Sequence, residues 1–170
     1  MREDDFMVTN YHKRIENAIV AFGKDTKQVK KVLRGNEHPL SLVDSFSKRV
    51  VNYKPDAYFL LKNRGKLIFQ VLESELKKQD TLIADVVRAC LVENCDGIIF
   101  IHPSGNKEDE NRVLEALNIV IRGLNKKGLG EDLPKTNGCY RINRKDAKNK
   151  KTVVSLLTKL SKEDNWFKFK

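Results

Sequence analysis

Hydrophobic positions along the chain recur with two different periods, and the periods separate predicted helices from predicted strands. Helical spacing indicates a long first helix, a second helix in "DTLIADVVRACLVEN", a third that begins after Ser104 or Asn106, and a last helix in "TVVSLLTKL". Short apolar runs predict strands in "DAYFLL", "KLIFQVLE" and "DGIIFIHP", and a shorter one in "CYRI". The third of these runs is apolar almost throughout, which is typical of a strand that is buried on both faces.

The first helix is predicted over residues 9–34. Apolar residues recur there at helical spacing, at Tyr11, Ile15, Ala18, Ile19 and Phe22. We expect Gly35 to end this helix, so that its basic second half, "KDTKQVKKVLR", is helical as well. A short strand is expected near residues 45–52.

The order of these elements predicts the fold class. A β-hairpin, "DAYFLL"-"KNRG"-"KLIFQVLE", is followed by a helix and then by a buried strand. A helical crossover to a buried strand indicates a partly parallel sheet, and the hairpin adds antiparallel pairs. We therefore expect one α/β domain over residues 1–170, with a mixed central sheet flanked by helices.

Charge indicates the class of partner. The chain has 170 residues, of which 33 are Lys or Arg and 23 are Asp or Glu, so that its net charge is +10. A basic surface attracts polyanions by releasing their counterions, which favours nucleic acid as the partner. No apolar run is long enough to span a membrane, and the start of the chain lacks an apolar signal segment. We expect a cytoplasmic protein that does not bind membranes.

The predicted hairpin brings acidic residues together. A tight turn within "KNRG" makes Asn63 face Lys66, and Asp56 then faces Glu73. Facing residues have Cβ atoms roughly 5 Å apart, and Glu75 shares the same face because side chains alternate along a strand. Three carboxylates at such short range repel one another unless a cation compensates, and Mg²⁺ suits one or two carboxylates with waters left for phosphate. In a basic protein this pattern favours a metal-dependent phosphodiesterase.

The sequence "PD" at residues 55–56, the apolar hairpin and the following acid-x-acid pair resemble the PD-(D/E)xK nuclease superfamily, which includes restriction endonucleases and archaeal Holliday-junction resolvases. The resemblance implies a restriction-endonuclease-like core with the order αβββαβ over about residues 9–103, extended by helical additions over residues 104–170. It implies that Asp56 and Glu73 hold Mg²⁺ or Mn²⁺, with Glu16 as the additional acid from the first helix.

The position that is usually lysine in this superfamily is Glu75 here, and three interpretations stay open. Glu73-Ser74-Glu75 is the catalytic pair, with glutamate tolerated at the lysine position; the tight turn favours this interpretation. Alternatively, Glu75-Leu76-Lys77 supplies the E-x-K motif, which requires the hairpin to slide by two residues or to have a longer turn. In the third interpretation the site is degenerate and the protein only binds nucleic acid. In an active site, Lys77 would stabilise the charge that develops on the phosphate.

The predicted function is therefore a metal-dependent endonuclease that hydrolyses phosphodiester bonds of DNA, including branched or single-stranded DNA, and that acts as a homodimer. The alternatives are a catalytically inactive nucleic-acid-binding domain of the same fold and a protein-interaction domain. Two basic segments are the candidates for contact with the nucleic-acid backbone. Their residues are Lys27, Lys30, Lys31 and Arg34 in the first segment, and Arg144, Lys145, Lys148, Lys150 and Lys151 in the second.

Overall fold

The computed structural model describes residues 3–43, 50–72, 79–128 and 133–167. Helices and strands alternate irregularly along these residues. In chain order they are α1 (Glu3–Lys24), β1 (Val29–Leu33), β2 (Leu40–Val43), β3 (Val50–Tyr53), β4 (Ala57–Leu61), β5 (Lys66–Val71), α2 (Gln79–Cys90), β6 (Cys95–His102), α3 (Lys107–Lys126), β7 (Thr136–Arg141), α4 (Arg144–Ala147) and α5 (Lys150–Glu163).

The central sheet has the strand order β1-β4-β5-β6-β7. β1 pairs with β4 and β4 with β5 in antiparallel fashion, whereas β5, β6 and β7 are parallel neighbours. The predicted mixed sheet of an α/β domain is therefore confirmed. Strands β2 and β3 form a separate antiparallel ribbon, which the chain inserts between β1 and β4.

Strand β6 has a hydrophobic core on each side, as its apolar sequence predicts. Ile99 and Ile101 lie in the core that includes residues of α1 and α5. Ile98 and Phe100 lie in the core that includes residues of α2 and α3. Side chains of a strand alternate between the two faces of the sheet, so a central strand with helices on both faces must be apolar at every position.

The first helix is shorter than the sequence pattern suggests. Its predicted stripe from Tyr11 to Phe22 is buried, but the helix ends at Lys24. The basic second half that was expected to be helical instead contains a turn and strand β1. The hydroxyl of Thr26 donates to the carbonyl of Phe22 at 2.7 Å, and β1 then pairs with β4. Val29 and Val32 are β-branched and pack against the core, which favours the strand.

The β4–β5 hairpin has a different register from the predicted one. Leu60, not Asn63, faces Lys66, and Ala57 faces Phe69. Continuing this register places Asp56 level with Gln70, so the predicted pairing of Asp56 with Glu73 is wrong.

The turn explains the difference in register. The amide of Leu61 donates to the carbonyl of Gly65 at 2.9 Å, which leaves three residues in the loop instead of two. Arg64 takes the left-handed conformation with φ of 73°, as such three-residue turns require. The side chain of Asn63 accepts from the amide of Gly65 at 2.9 Å. A Cβ on Gly65 would lie 1.7 Å from a carboxylate oxygen of Asp96, so any other residue at this position must displace that side chain.

The second half of the chain agrees with the predicted elements. Asn106 caps α3 by accepting from the amide of Glu108 at 3.0 Å. β7 extends the sheet beside β6, and α5 packs against α1. Across the parts of the chain that the structure describes, no helix is both long and apolar enough to cross a membrane.

Candidate functional site

Asp56 lies immediately before β4, and two hydrogen bonds hold its carboxylate. Oδ2 accepts from the backbone amide of Val71 at 2.6 Å, and Oδ1 accepts from Nε2 of His12 at 2.8 Å. The first bond ties the start of β4 to the end of β5, and the second ties the sheet to α1. The side chain keeps 20% of its surface exposed. Asp56 is therefore an oriented carboxylate that a ligand can still reach.

Glu16 lies one helical turn after His12 on the same face of α1. Its Oε2 lies 3.6 Å from Nδ1 of His12, and its Oε1 accepts from Nη1 of Arg34 at 2.5 Å. The other terminal nitrogen of Arg34 donates to Asn17 at 2.8 Å. His12 thus stands between Glu16 and Asp56, and Arg34 compensates the charge of Glu16. The structure brings these two predicted acids to one site, although His12 separates them.

A cleft of about 710 Å³ opens beside Asp56. Its walls come from His12 and Asp56, from the end of the β2–β3 ribbon and its link at residues 51–54, from the end of β5 at residues 70–72, and from Asp85 and Arg88 of α2. The cleft therefore lies at the end of the central sheet where strand β4 begins and strand β5 ends.

The inner part of the cleft is polar. The side-chain amide of Gln70 donates to the hydroxyl of Tyr53 at 2.6 Å. Burial raises the pKa of Tyr53, and the nearby carboxylates of Asp85 and Asp56 raise it further, so this phenol stays neutral. Nη1 of Arg88 donates to Oδ1 of Asp85 at 3.2 Å. A polar lining with charges of both signs suits a hydrated, charged ligand better than an apolar one.

Metal binding in the cleft depends on the donor atoms that its side chains present. Among the described residues, no group of three or more His, Cys, Asp or Glu side chains is arranged to hold a metal ion. The chemistry of Asp56 does fit a hard cation, because each carboxylate oxygen accepts one hydrogen bond and retains a second lone pair. Mg²⁺ needs only one or two carboxylates when waters and phosphate complete its coordination. Glu73, Glu75 and Lys77, the other predicted site residues, follow Leu72 in the sequence and lie outside the described residues.

The first predicted nucleic-acid-binding segment is divided by the fold. Lys27 precedes β1. It lies at the opposite end of the strands from Asp56, because Val29 pairs with Leu61, the last residue of β4. Lys30 and Lys31 are exposed on the edge strand. Arg34 is at the Asp56 end of β1, where it binds Glu16 and Asn17. These four residues therefore do not form the helical basic stripe that the sequence suggested.

The second predicted segment contacts α1, the helix that carries His12, through Arg144. Arg144 and the exposed Lys145 belong to α4, and Lys150 and Lys151 belong to α5. The exposed Lys148 lies between the two helices. The guanidinium carbon of Arg144 lies 5.3 Å from the ring centre of Tyr11, and Tyr11 directly precedes His12. The hydroxyl of Tyr11 donates to the carbonyl of Ile142 at 2.7 Å, which joins this segment to α1.

Several residues of the cleft were not predicted from the sequence. They are His12, Tyr53, Lys54, Gln70, Asp85 and Arg88. One local signal was present for His12, since His12 and Glu16 are spaced by four residues on a predicted helix. The other residues carry no sequence signal, because only folding brings α2, the ribbon and β5 together.

Comparisons with protein-family models, with curated proteins and with solved structures found no match to this chain. The function proposed below therefore rests on the geometry and charge of the chain's own residues, together with the sequence motif around Asp56.

Proposed function

We propose that this protein is a Mg²⁺- or Mn²⁺-dependent endonuclease that hydrolyses phosphodiester bonds of DNA. The observation that carries the proposal is the carboxylate of Asp56, which His12 and the amide of Val71 orient at the rim of a polar cleft. An acid at this place in a protein with a net charge of +10 suits a cation-assisted reaction on a polyanion.

The order of elements supports a restriction-endonuclease-like core. Helix α1, strands β1, β4 and β5, helix α2 and strand β6 follow one another in the order αβββαβ, with the β2–β3 ribbon inserted after the first strand. Three antiparallel strands followed by a helix and a parallel strand agree with the topology that the sequence motif implies. Residues 104–167 add α3, β7, α4 and α5 to this core, so the extension includes a strand as well as helices.

In the proposed site, Asp56 and Glu73 would hold the metal ion with Glu16 as the additional acid, and His12 lies between Glu16 and Asp56. The metal supplies a bound water of lowered pKa and positive charge near the scissile phosphate. Glu75 would orient a water, and Lys77 would stabilise the negative charge that develops on the phosphate. His12 and the amide of Val71 keep the Asp56 carboxylate in one orientation, so that no reorganisation is needed when substrate binds.

The basic residues of α4, α5 and the link between them contact the DNA backbone in this proposal. Arg144 lies over the ring of Tyr11, so this charge is held against α1, the helix that also carries His12. Such contacts position the duplex and do not select its sequence. We further propose a homodimer, since two copies of one site can cut the two strands of a duplex in a single binding event.

A binding domain without catalytic activity is the alternative, and Glu75 favours it. A carboxylate at the position where a lysine would stabilise the phosphate adds repulsion instead of attraction. Salt-sensitive DNA binding is common to both functions, and only metal-dependent cleavage distinguishes them.

Cleavage of labelled linear, single-stranded and four-way-junction DNA tests the proposal. The assay compares Mg²⁺, Mn²⁺ and EDTA, and it uses the wild type, Asp56→Asn, Glu73→Gln and Asp25→Asn. Asp25 is an exposed acid that lies away from the cleft, so its variant is the matched control.

We expect metal-dependent cleavage by the wild type and by the control, and cleavage at the level of the EDTA sample in the other two variants. Cleavage that survives both Asp56→Asn and Glu73→Gln would contradict the carboxylate site. Salt-sensitive binding without cleavage under every condition would establish the non-catalytic alternative.

A further inference from the structure

Two cationic side chains line the cleft beside Asp56, and neither belongs to the predicted binding segments. Lys54 lies in the link from the ribbon to β4, two residues before Asp56. Arg88 lies on α2, which follows β5 in the chain. The two cationic side chains therefore line one cleft from separate elements of the fold.

Both cations are available to a ligand. Lys54 is exposed, and its ammonium makes no ion pair with any residue within the described ranges. Arg88 keeps 48% of its side chain exposed, and one of its nitrogens donates to Asp85, which is 10% exposed. A guanidinium has five N–H donors, so this single bond holds Arg88 in place and leaves donors for a second partner.

The side chains that line the cleft favour one kind of ligand. Gln70 and Tyr53 make the inner surface of the cleft polar. Its volume of about 710 Å³ is large enough for a hydrated charged group of a polymer, together with the groups next to it in that polymer. The carboxylate of Asp56 repels an anion, so an anionic ligand in this cleft needs nearby positive charge, which Lys54 and Arg88 supply. A phosphate diester meets this requirement, because it bears one negative charge and two oxygens that accept hydrogen bonds from lysine and arginine together.

We propose that Lys54 and Arg88 form a phosphate clamp, which binds a phosphate group of a nucleic-acid strand in the cleft beside Asp56. The identity of the strand as DNA rests on the proposed function, whereas the binding of a nucleic-acid phosphate by these two side chains does not require catalysis. The clamp positions the strand across the cleft, and the exposed basic residues of α4 and α5 bind more distant phosphates.

The salt dependence of binding measures the clamp directly. Each phosphate contact made by a cation contributes about 0.9 to the slope of log K against log salt concentration for duplex DNA and about 0.7 for single strands. Removing one cation that contacts a phosphate should lower the slope by about 1. A cation that only adds to the distant field of the protein changes the slope much less, because salt screens charges beyond roughly 10 Å.

The experiment is a salt titration of binding in EDTA, where no metal-dependent cleavage occurs, with a short fluorescent duplex and its single strand as probes. The variants are Lys54→Ala, Arg88→Ala and the double variant, with Lys54→Arg and Arg88→Lys as charge-conserving variants. Lys62→Ala and Arg122→Ala are the controls, since both residues are exposed and lie outside the cleft. Circular dichroism verifies that each variant is folded.

We expect the slope to fall by about 1 in each single alanine variant and by about 2 in the double variant, with little change in the controls and in the charge-conserving variants. Slopes equal to that of the wild type in both alanine variants would overturn the clamp. If Lys54→Ala and Arg88→Ala lower the slope but the wild type never cleaves DNA, the proposed function fails and the clamp stands. If Asp56→Asn abolishes cleavage while both alanine variants bind like the wild type, the clamp fails and the proposed function stands.

Discussion

At the scale of single residues, Gly35 determines where Asp56 is placed. It is buried against the link that precedes β4, and a Cβ at this position would lie 1.8 Å from the carbonyl oxygen of Pro55. The obstructing atom belongs to the backbone, so no side-chain rotation can relieve the clash. The residue next to Pro55 is Asp56, and any displacement of the link therefore moves the carboxylate as well.

A pair of glycine substitutions tests this packing. We expect Gly35→Ala to lower the free energy of unfolding by about 2–3 kcal/mol, as overpacking of a rigid site does. Gly123→Ala should instead raise it by up to about 1 kcal/mol, because Gly123 is in the interior of α3 and a Cβ there would have no atom within 4 Å. Urea denaturation of both variants measures the difference, and equal stability of the two would contradict the close contact at Pro55.

His12 is the second residue whose role is testable by itself. His12→Ala removes one of the two hydrogen bonds to the Asp56 carboxylate and leaves the bond from Val71. Loss of a group that orients a metal ligand typically costs about 10–100-fold in metal affinity or activity, and we expect a decrease in this range. Mn²⁺ titration and single-turnover cleavage measure the two quantities.

His38→Ala is the control for this prediction, because the side chain of His38 is exposed. His12→Gln should recover part of the loss, since glutamine retains a donor that can reach the carboxylate. Unchanged Mn²⁺ affinity in His12→Ala would show that the amide of Val71 alone is sufficient to orient Asp56.

At the scale of elements, Trp166 and Phe167 attach the turn that follows α5 to the hydrophobic core. Trp166, which follows α5, is 3% exposed. Its ring centre lies 6.1 Å from that of Phe22 and 5.8 Å from that of Phe69, and its indole nitrogen donates to the hydroxyl of Tyr140 at 3.1 Å. These contacts attach α5 and its last turn to α1 and to the sheet. The aromatic residue is therefore not available for stacking on bases.

We expect Trp166→Ala to destabilise the protein by about 3–5 kcal/mol, the usual range for removing a buried aromatic side chain. Leu91→Ala is a suitable control, because Leu91 is 65% exposed and should change stability by no more than about 0.5 kcal/mol. Thermal or urea denaturation followed by circular dichroism measures both. A change in Trp166→Ala as small as in the control would mean that α5 is not anchored through this residue.

The elements also show which parts of the fold the spacing of apolar residues predicts correctly. Helices α2, α3 and α5 and strand β6 were predicted correctly, because their own apolar spacing matches the surfaces on which they pack. Residues 29–33 were assigned to a helix, since "KQVKKVL" has no strong periodicity of its own. Pairing with β4 determines their strand conformation, and β4 lies almost 30 residues further along the chain. The hairpin register likewise depended on Arg64 accepting a positive φ, which the residue type does not indicate.

At the scale of the whole molecule, a buried histidine links stability to pH. His102 is fully buried at the end of β6, and neither of its ring nitrogens has a hydrogen-bond partner among the described residues. Burial lowers the pKa of His102 below its ordinary value of 6.5, and Arg141 acts in the same direction, while Glu110 and Asp109 oppose the shift. Between the lowered pKa and 6.5 the unfolded chain binds more protons than the folded protein. Stability contributed by this residue is therefore complete above pH 6.5 and decreases on acidification.

We expect the free energy of unfolding to fall below pH 6.5, with a contribution from His102 of up to about 1.4 kcal/mol per pH unit. His102→Phe, which has no proton to bind, should show a smaller slope over the same range, whereas His38→Ala should retain the slope of the wild type. Urea denaturation at intervals between pH 7 and pH 5 measures these slopes. Parallel curves for the wild type and His102→Phe would contradict the assignment.

The sequence by itself determined the α/β class, the two faces of β6, the apolar stripe of α1 and the net positive charge of the protein. These properties are local or additive, so neighbouring residues are sufficient to specify them. The resemblance carried by the motif paired Asp56 with Glu73 and added Glu16 from the first helix, although it did not show that His12 lies between Glu16 and Asp56.

Only the tertiary structure decided the contacts of the site. His12 and Asp56 are 44 residues apart, and Glu16 and Arg34 are separated by 18. Lys54 and Arg88 line the same cleft because the ribbon, the end of β5 and α2 come together at one end of the strands. Such contacts depend on strand order and register, which are set by the packing of the whole domain and not by the spacing of residues along the chain.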